Sequence, residues 1–475
     1  MVAIGRPPMA PGSGGGPAWL AAVGIALFAQ ASEALTLSAA GAAAALGEPP
    51  LGPRSSTAAS AAAALRGGPR AGLLRVKLRR ARGRARPASS LRRPKALLQL
   101  SAATSSESAS QSLPGQGEEH LFGSIFVGVP RQEFLVAFDT ASGNLILPSR
   151  LCQSSPCLSH RTYDGALSGT AKDIGRIDEM DRPFNAEEPR ETVRLNVGSG
   201  KVVGQLKSDR LCLGEEDNLC AQTGFIEATE MSEEPFGFLP YDGILGLGMP
   251  GGSLDKHFNF LGNLAEAGVM ELDRYAVWLA LPGDGEDSEI TFGALDDARV
   301  ASDNVIWQKV VRPETGVWQL PLSDVVVDGQ DQKICEDAPC WAAFDTGTTV
   351  IGGPRAIIEP LVLRLEISKD CSNYRSLPMI GFVLGDHVFN LEPADYVKTT
   401  SAGCFHQFAV VDLPPPRGPL LLLGEPFLRR FYTVFDRPTL KIGLSVARHK
   451  AGQAQEKELA AKFITKRQAP APADD

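Results

Sequence analysis

Val136-Ala137-Phe138-Asp139-Thr140-Ala141-Ser142 and Ala342-Ala343-Phe344-Asp345-Thr346-Gly347-Thr348 are one device written twice, an apolar strand running into an Asp-Thr turn. Further along each half, a run of branched residues closes on glycine: Gly243-Ile244-Leu245-Gly246 in the first, Leu422-Leu423-Gly424 in the second. A single Asp-Thr turn after a buried strand is usually only a turn former, because both side chains accept local backbone hydrogen bonds. Two such turns in the same order, each followed by a hydroxyl residue able to bond the carboxylate, indicate an internal repeat.

If the two halves face each other about a pseudo-twofold axis, Asp139 and Asp345 meet on it. Like charges at contact distance cannot both ionise, so the pair would hold one proton at mildly acidic pH. That state suits hydrolysis of a peptide bond: the ionised member takes a proton from water and the protonated one polarises the scissile carbonyl. No Ser-His or Cys-His arrangement announces itself as an alternative.

Around the repeat, short strand signals are separated by Gly, Pro, Asp and Asn, which predicts a mainly β fold. Strands are expected at Leu121 to Val129, Phe134 to Phe138, Val193 to Val197, Val202 to Leu206, Ala276 to Ala280, Trp318 to Val327, Leu420 to Leu423 and Lys441 to Val446. Helical windows are few: Leu254 to Gly268, Arg355 to Leu365, Pro393 to Val397 and Glu425 to Tyr432.

The chain of 475 residues exceeds what one core usually holds, and two folded lobes with flanking segments fit. Residues 1–116 carry 14 basic and three acidic residues, whereas the remainder has 33 basic against 52 acidic. A cationic leader facing an anionic body suggests that one covers the other; the alternatives are a solvated basic tail or a nucleic-acid arm. A nucleic-acid function rests on residues 70–95 alone and leaves the repeat unexplained, so no nucleic-acid partner is expected.

Arg6, an apolar run from Ala18 to Ala29 and the small-residue pattern Ala29-Gln30-Ala31 read as a signal peptide over residues 1–31, with an uncleaved anchor as the alternative. No later window is apolar enough to span a membrane. Residues 32–66 are Ala, Gly, Pro and Ser with little that could form a core. Leu73, Leu74, Val76 and Leu78 then alternate with Arg75, Lys77 and Arg79, as in a half-buried strand with a basic outer face. Ser101 to Gln116 reads as a loop suited to cleavage, which sets residues 32–116 as a basic prosegment. Two lobes at 117–280 and 281–447 and a polar tail at 448–475 complete the division.

All eight cysteines lie after residue 150, with Cys152 and Cys157, Cys212 and Cys220, and Cys335 and Cys340 closely spaced and Cys371 and Cys404 left for each other. An even count behind a signal peptide favours disulfides. A metal cluster is the rival, but C-x2-C spacing is lacking and the histidines form no ligand pattern, so no metal or cofactor is expected. There is no Asn-x-Ser/Thr sequon.

From about residue 73 to 447 the chain resembles the pepsin-like family of aspartic proteases. The likeness is carried by Phe138-Asp139-Thr140-Ala141-Ser142-Gly143-Asn144-Leu145, Tyr241-Asp242-Gly243-Ile244-Leu245-Gly246-Leu247-Gly248, Phe344-Asp345-Thr346-Gly347-Thr348-Thr349 and Phe431-Tyr432-Thr433-Val434-Phe435-Asp436. The resemblance implies a bilobal fold of two β lobes around a cleft. It assigns Asp139 and Asp345 as catalytic, with Thr140 and Thr346 bracing them, Gly347 in the second turn, and Ser142 and Thr348 bonding the outer carboxylate oxygens. It places Cys152–Cys157, Cys335–Cys340 and Cys371–Cys404 as family disulfides, with Cys212–Cys220 additional. It further implies polypeptide substrates cut between bulky apolar residues at acidic pH, the chain's own prosegment as intramolecular inhibitor, a monomer, and passage through the secretory pathway to the outside or to an acidic vesicle or vacuole. The long leader and the insertions are similar to those of members from apicomplexan parasites.

Three departures bear on activity. Ala141 stands where the family has glycine. Leu195 to Lys201 aligns with the flap hairpin, whose tip would be Val197, Gly198, Ser199 and Gly200, and Val197 replaces the usual flap tyrosine. Ile146 replaces the tryptophan that pairs with that tyrosine, so the two exchanges together make this side of the cleft more aliphatic. Ile177 to Glu191 is an acidic insertion before the flap. The opposing expectation is a catalytically impaired relative that binds peptides or proteins in the same cleft.

Overall fold

The computed structural model describes residues 27–28, 74–83, 119–179, 184–214, 219–281, 283–301, 304–336, 338–414, 418–450 and 456–467. The signal-peptide reading lies outside these residues, apart from Leu27 and Phe28, which pair with Val197 and Asn196. The low-complexity stretch 32–66, the cleavage region 101–116 and Glu215-Glu216-Asp217 also lie outside them.

The repeat seen in the sequence is a repeat of strand pairing. In the first half, Gln132–Asp139 lies parallel to Gly243–Gly246, with Asp139 opposite Gly246. Leu145–Pro148 returns antiparallel to the same glycine-bounded strand and parallel to Leu219–Met231. In the second half, Cys340–Phe344 lies parallel to Leu421–Leu423. Ile351–Gly353 returns antiparallel to that strand and parallel to Phe408–Val410. Each Asp-Thr turn therefore crosses the end of a strand of the other arm of its own half. That crossing explains the closing glycines: a Cβ on Gly246 would lie 2.5 Å from the Ser142 carbonyl oxygen, and one on Gly424 would lie 2.3 Å from that of Thr348.

The two halves are joined by a sheet that runs through residues 74–82. Leu74–Arg82 pairs on one side with Ser288–Phe292 and on the other with Glu119–Val127. From Ser288–Phe292 the sheet continues through Arg274–Trp278, Phe431–Asp436 and Lys441–Val446 to Ile306–Lys309. The architecture is the mainly β, bilobal one that the repeat predicts.

Most strand expectations hold to within a few residues, and two of them and one helical window differ for visible reasons. Trp318 to Val327 is two strands, because Gln319–Leu322 pairs with Cys340–Phe344 whereas Asp324–Val327 turns away to Ile380–Leu384. Val202 to Leu206 is only part of Gly200–Leu213, which forms a long hairpin with Leu219–Met231. Leu254 to Gly268 is broken into a 3-10 turn at Lys256–Phe258 and a helix at Phe260–Glu266. Two caps impose that break: Asp255 accepts from His257 N at 3.0 Å and Asn259 accepts from Gly262 N at 2.9 Å. The helices Arg355–Leu365, Pro393–Tyr396 and Glu425–Arg430 fall where expected. Among the described residues no helix is long and apolar enough to cross a membrane.

All eight cysteines are paired, as Cys152–Cys157, Cys212–Cys220, Cys335–Cys340 and Cys371–Cys404. Cys212 and Cys220 stand directly opposite in the long hairpin, so the additional bridge closes its end.

Beyond Arg448 the polar composition hides a built segment. Glu456–Phe463 is a helix and Ile464–Lys466 a strand that pairs with His387–Leu391. Phe463 is fully buried in the main core, with the Arg430 guanidinium 3.8 Å from its ring centre. Lys462 reaches Glu392 at 2.6 Å and Arg467 reaches Asp331 at 3.2 Å. Burying one aromatic ring suffices to dock a segment that its charges alone would leave in solvent. Phe463→Ala is therefore expected to destabilise the protein by about 3–5 kcal/mol, read from the urea unfolding midpoint. A loss below about 0.5 kcal/mol would show that the segment is not docked.

Candidate active site

Each Asp-Thr turn begins at the buried end of a strand, and the strand's pairing fixes where its aspartate sits. Leu247 N donates to the Asp139 carbonyl at 2.7 Å, and Asp345 N donates to the Leu423 carbonyl at 3.2 Å. Both aspartates are almost wholly inaccessible, at 1% and 0% exposure.

The turns are locked to each other by their threonines. Thr140 Oγ1 donates to the Phe344 carbonyl at 2.6 Å and accepts from Thr346 N at 3.0 Å. Reciprocally, Thr346 Oγ1 donates to the Phe138 carbonyl at 2.6 Å and accepts from Thr140 N at 3.1 Å. These four bonds tie residues 204 to 208 positions apart, and they use each hydroxyl as both donor and acceptor. The bracing role implied for Thr140 and Thr346 is thus a double exchange of hydrogen bonds across the axis.

Inside each turn the carboxylate is held by its own backbone. Ala141 N donates to Asp139 Oδ1 and Gly347 N to Asp345 Oδ1, both at 2.8 Å. The extra methyl of Ala141 leaves that donor in place. Thr348 Oγ1 donates to Asp345 Oδ2 at 2.6 Å. Ser142 departs from its implied role: its buried Oγ has no hydrogen-bond partner among the described residues. The first turn therefore lacks the hydroxyl bond that the second possesses.

Burial dominates the electrostatics. It pushes the Asp345 carboxyl up to about 6, against the lowering effect of the Thr348 hydroxyl, the Gly347 N–H and a hydrogen bond with Asp139. Asp139 lies close enough to hydrogen-bond the Asp345 carboxyl, so the two titrate as a pair.

Beneath the dyad lies a support that the sequence motifs do not reveal. The Leu247 carbonyl accepts from Trp318 Nε1 at 3.0 Å and from Tyr275 Oη at 2.8 Å. Tyr275 stacks on Phe435 with ring centres 4.7 Å apart. Leu247 thus joins the first Asp-Thr turn, through its N–H, to an aromatic cluster drawn from both halves. Pairing every buried Trp and Tyr donor with a nearby carbonyl is the rule that finds such a support, but only once the fold has brought the partners together.

The candidate flap is a hairpin of Thr192–Val197 and Gly200–Leu213 turning at Gly198 and Ser199. Val197 and Ile146 are both buried and belong to one apolar cluster with Leu195, Val202 and Phe236. A Cβ on Gly200 would lie 2.6 Å from both Phe236 and Pro235, which explains the glycine at that position. The acidic insertion is closed at its base by Glu191 N to the Gly175 carbonyl at 2.7 Å and by Ile177 N to the Glu191 carboxylate at 2.8 Å.

Comparison with known proteins agrees with this geometry. Residues 120–447 match the family model of the eukaryotic aspartyl protease. Plasmepsin VI of Plasmodium berghei (strain Anka) is 29% identical over 356 residues, which cover 69% of this chain and 75% of that protein. Pepsin A of Canis lupus familiaris is 31% identical over 348 residues, 71% of this chain and 83% of its own. Cathepsin E of Mus musculus is 30% identical over 338 residues, 69% and 80% respectively.

The unequal turns carry a measurable consequence. Thr348→Val removes a bond that favours the ionised Asp345, and infrared titration of the protonated carboxyl band should move to higher pH by about one unit. Ser142→Ala removes a hydroxyl without a partner and should leave the titration and the unfolding midpoint unchanged. Equal effects of the two substitutions would contradict the asymmetry.

Proposed function

Because the chain belongs to the family of eukaryotic, pepsin-like aspartyl proteases, we propose that it is an endopeptidase made as a zymogen that hydrolyses peptide bonds between bulky apolar residues at acidic pH. The observation that carries this reading is the reciprocal threonine exchange, which holds two buried carboxylates together with an N–H donor on each. A chain kept only for binding has no need of that arrangement.

In the proposed reaction the dyad holds one proton between Asp139 and Asp345. A water between them gives a proton to the ionised carboxylate as its oxygen attacks the scissile carbonyl carbon. The protonated carboxyl gives its proton to the carbonyl oxygen, and a tetrahedral diol forms. Proton transfer to the amide nitrogen then breaks the C–N bond and releases an amine and a carboxylic acid. The dyad returns to its one-proton state, and no covalent intermediate with the protein is involved.

The pH dependence follows from the raised Asp345. Its pKa stands above the ordinary carboxylate value, so the shared proton is retained up to about pH 6 and lost above it. Activity should fall as pH rises through that point. The aliphatic pair Ile146 and Val197 supports a preference for apolar residues beside the cut. Four disulfides support passage through an oxidising secretory compartment, and the acid optimum supports an acidic vesicle or the outside as the destination. The basic leader, whose Arg75 and Arg80 pair with acids of the body, supports inhibition of the body by its own prosegment, and the proposed form is a monomer.

The orphaned Ser142 hydroxyl and the apolar Val197 favour a second reading, a catalytically impaired protein that binds peptides in the same cleft. One experiment separates the two. The processed protein should cut a denatured polypeptide below pH 6 and be blocked by a statine-type peptide. Asp139→Asn or Asp345→Asn should lower kcat/KM at least about 100-fold. Tight statine binding without turnover from pH 3 to 7 would instead select the binding reading.

A further inference from the structure

The leader strand Leu74–Arg82 belongs to a segment read as removable, yet it occupies an interior place in the sheet that joins the halves. It is paired along both edges, with residues 74–78 opposite Ser288–Phe292 and residues 79–82 opposite Glu119–Phe122. Val76 and Leu78 are buried in the core cluster that also contains Phe138, Phe292 and Phe344. One strand, Glu119–Val127, separates it from the strand that ends at Asp139.

Its basic residues meet buried acids. Arg75 pairs with Asp296 at 2.9 Å and faces Glu289 at 3.9 Å. Arg80 reaches Glu425 at 3.0 Å and Glu119 at 3.6 Å. Glu425 is only 2% exposed and also binds Arg429, and its backbone N donates to the carbonyl of Thr348, the residue that bonds Asp345. Arg80 therefore neutralises a charge directly behind the second catalytic turn.

From this placement we propose that Leu74–Arg82 is a permanent strand of the working enzyme, so that cleavage within residues 84–118 yields a two-chain molecule. The proposal rests on the reading of the leader as cleaved. Arg82 pairs with Glu119, so a cut within the 36 residues between them removes none of the described pairings of the strand. A replacement from the chain's own residues is poorly matched. Ala96-Leu97-Leu98-Gln99-Leu100 has the apolar alternation, but residues 96–118 contain no Lys or Arg. Such a strand would leave Asp296 without Arg75 and Glu425 with Arg429 alone, and removing one partner from a buried ion pair is costly.

Mild acid does not undo the contact. Burial acts to raise the Glu425 carboxyl, but Arg429 and Arg80 outweigh it and hold it below the usual glutamate value. A depressed carboxylate keeps its contribution until pH falls through its own lowered pKa, so the Arg80 pair persists where the dyad works. The other groups facing this end are Glu119, Arg82 and His120, whose imidazole is lowered by burial and raised by Glu425. At the far end, Asp296 and Glu289 face Arg75 and Arg299.

The test uses the full chain carrying Asp139→Asn, with a site-specific protease sequence inserted after Pro87, so that the cut does not depend on self-processing. After the cut, native size exclusion with mass spectrometry at pH 7 and pH 5 should show the N-terminal fragment and the body eluting together in equal amounts. They should separate only in denaturant. Arg80→Met should speed loss of the fragment at least tenfold. If the fragment leaves at either pH while the body keeps its cooperative unfolding transition, the proposal is overturned, and Ala96 to Leu100 becomes the candidate for the vacated place. Because the readout is retention of a fragment, it stands apart from whether the protein cleaves peptides.

Discussion

Two carboxylates buried side by side repel each other, by about 4 kcal/mol at about 4 Å and an effective dielectric near 20. Asp139 and Asp345 are in that situation, and a protein that places them there must prevent them from moving apart. The resistance comes from the threonine exchange, in which each turn hangs from the backbone of the other by one donated and one accepted bond. Burial raises the Asp345 carboxyl, and a pair held this close and this dry takes up a proton rather than a second charge. The raised pKa of Asp345 is thus a consequence of burial in a fixed position.

The fixation depends on parts far from the turns. The glycines at 246 and 424 let each turn lie against a neighbouring strand, and Leu247 transmits the position of the first turn to Trp318 and Tyr275. On the opposite side, Glu425 receives the second turn through Thr348 and is itself held by Arg429 and Arg80. The second turn is consequently the more completely bonded of the two, since Thr348 has its carboxylate partner and Ser142 has none among the described residues. Arg80, within this chain of contacts, ties the strand at residues 74–82 to the second turn.

The dyad, its threonines and the mainly β character were legible because the repeat places identical chemistry at two positions of the same pattern. Period-two alternation likewise marked the leader strand, since Val76 and Leu78 face the core while Arg75 and Lys77 do not. What escaped notice depended on contacts between distant residues. The Trp318 and Tyr275 donors converge on one carbonyl only in the folded chain, and Phe463 is a single apolar residue in a charged tail, too little for any periodicity to register. The role inferred for Ser142 failed because a hydroxyl at the right place in a motif still needs its rotamer and its distance.

The most direct test of the central claim is the location of the shared proton. Neutron diffraction from deuterated crystals of the processed protein at pD 5 should find one deuteron between the Asp139 and Asp345 carboxyl groups. Deuterons on the Thr140 and Thr346 hydroxyls should point at the Phe344 and Phe138 carbonyls. Both carboxyl groups carrying their own deuteron, or neither carrying one, would contradict the account.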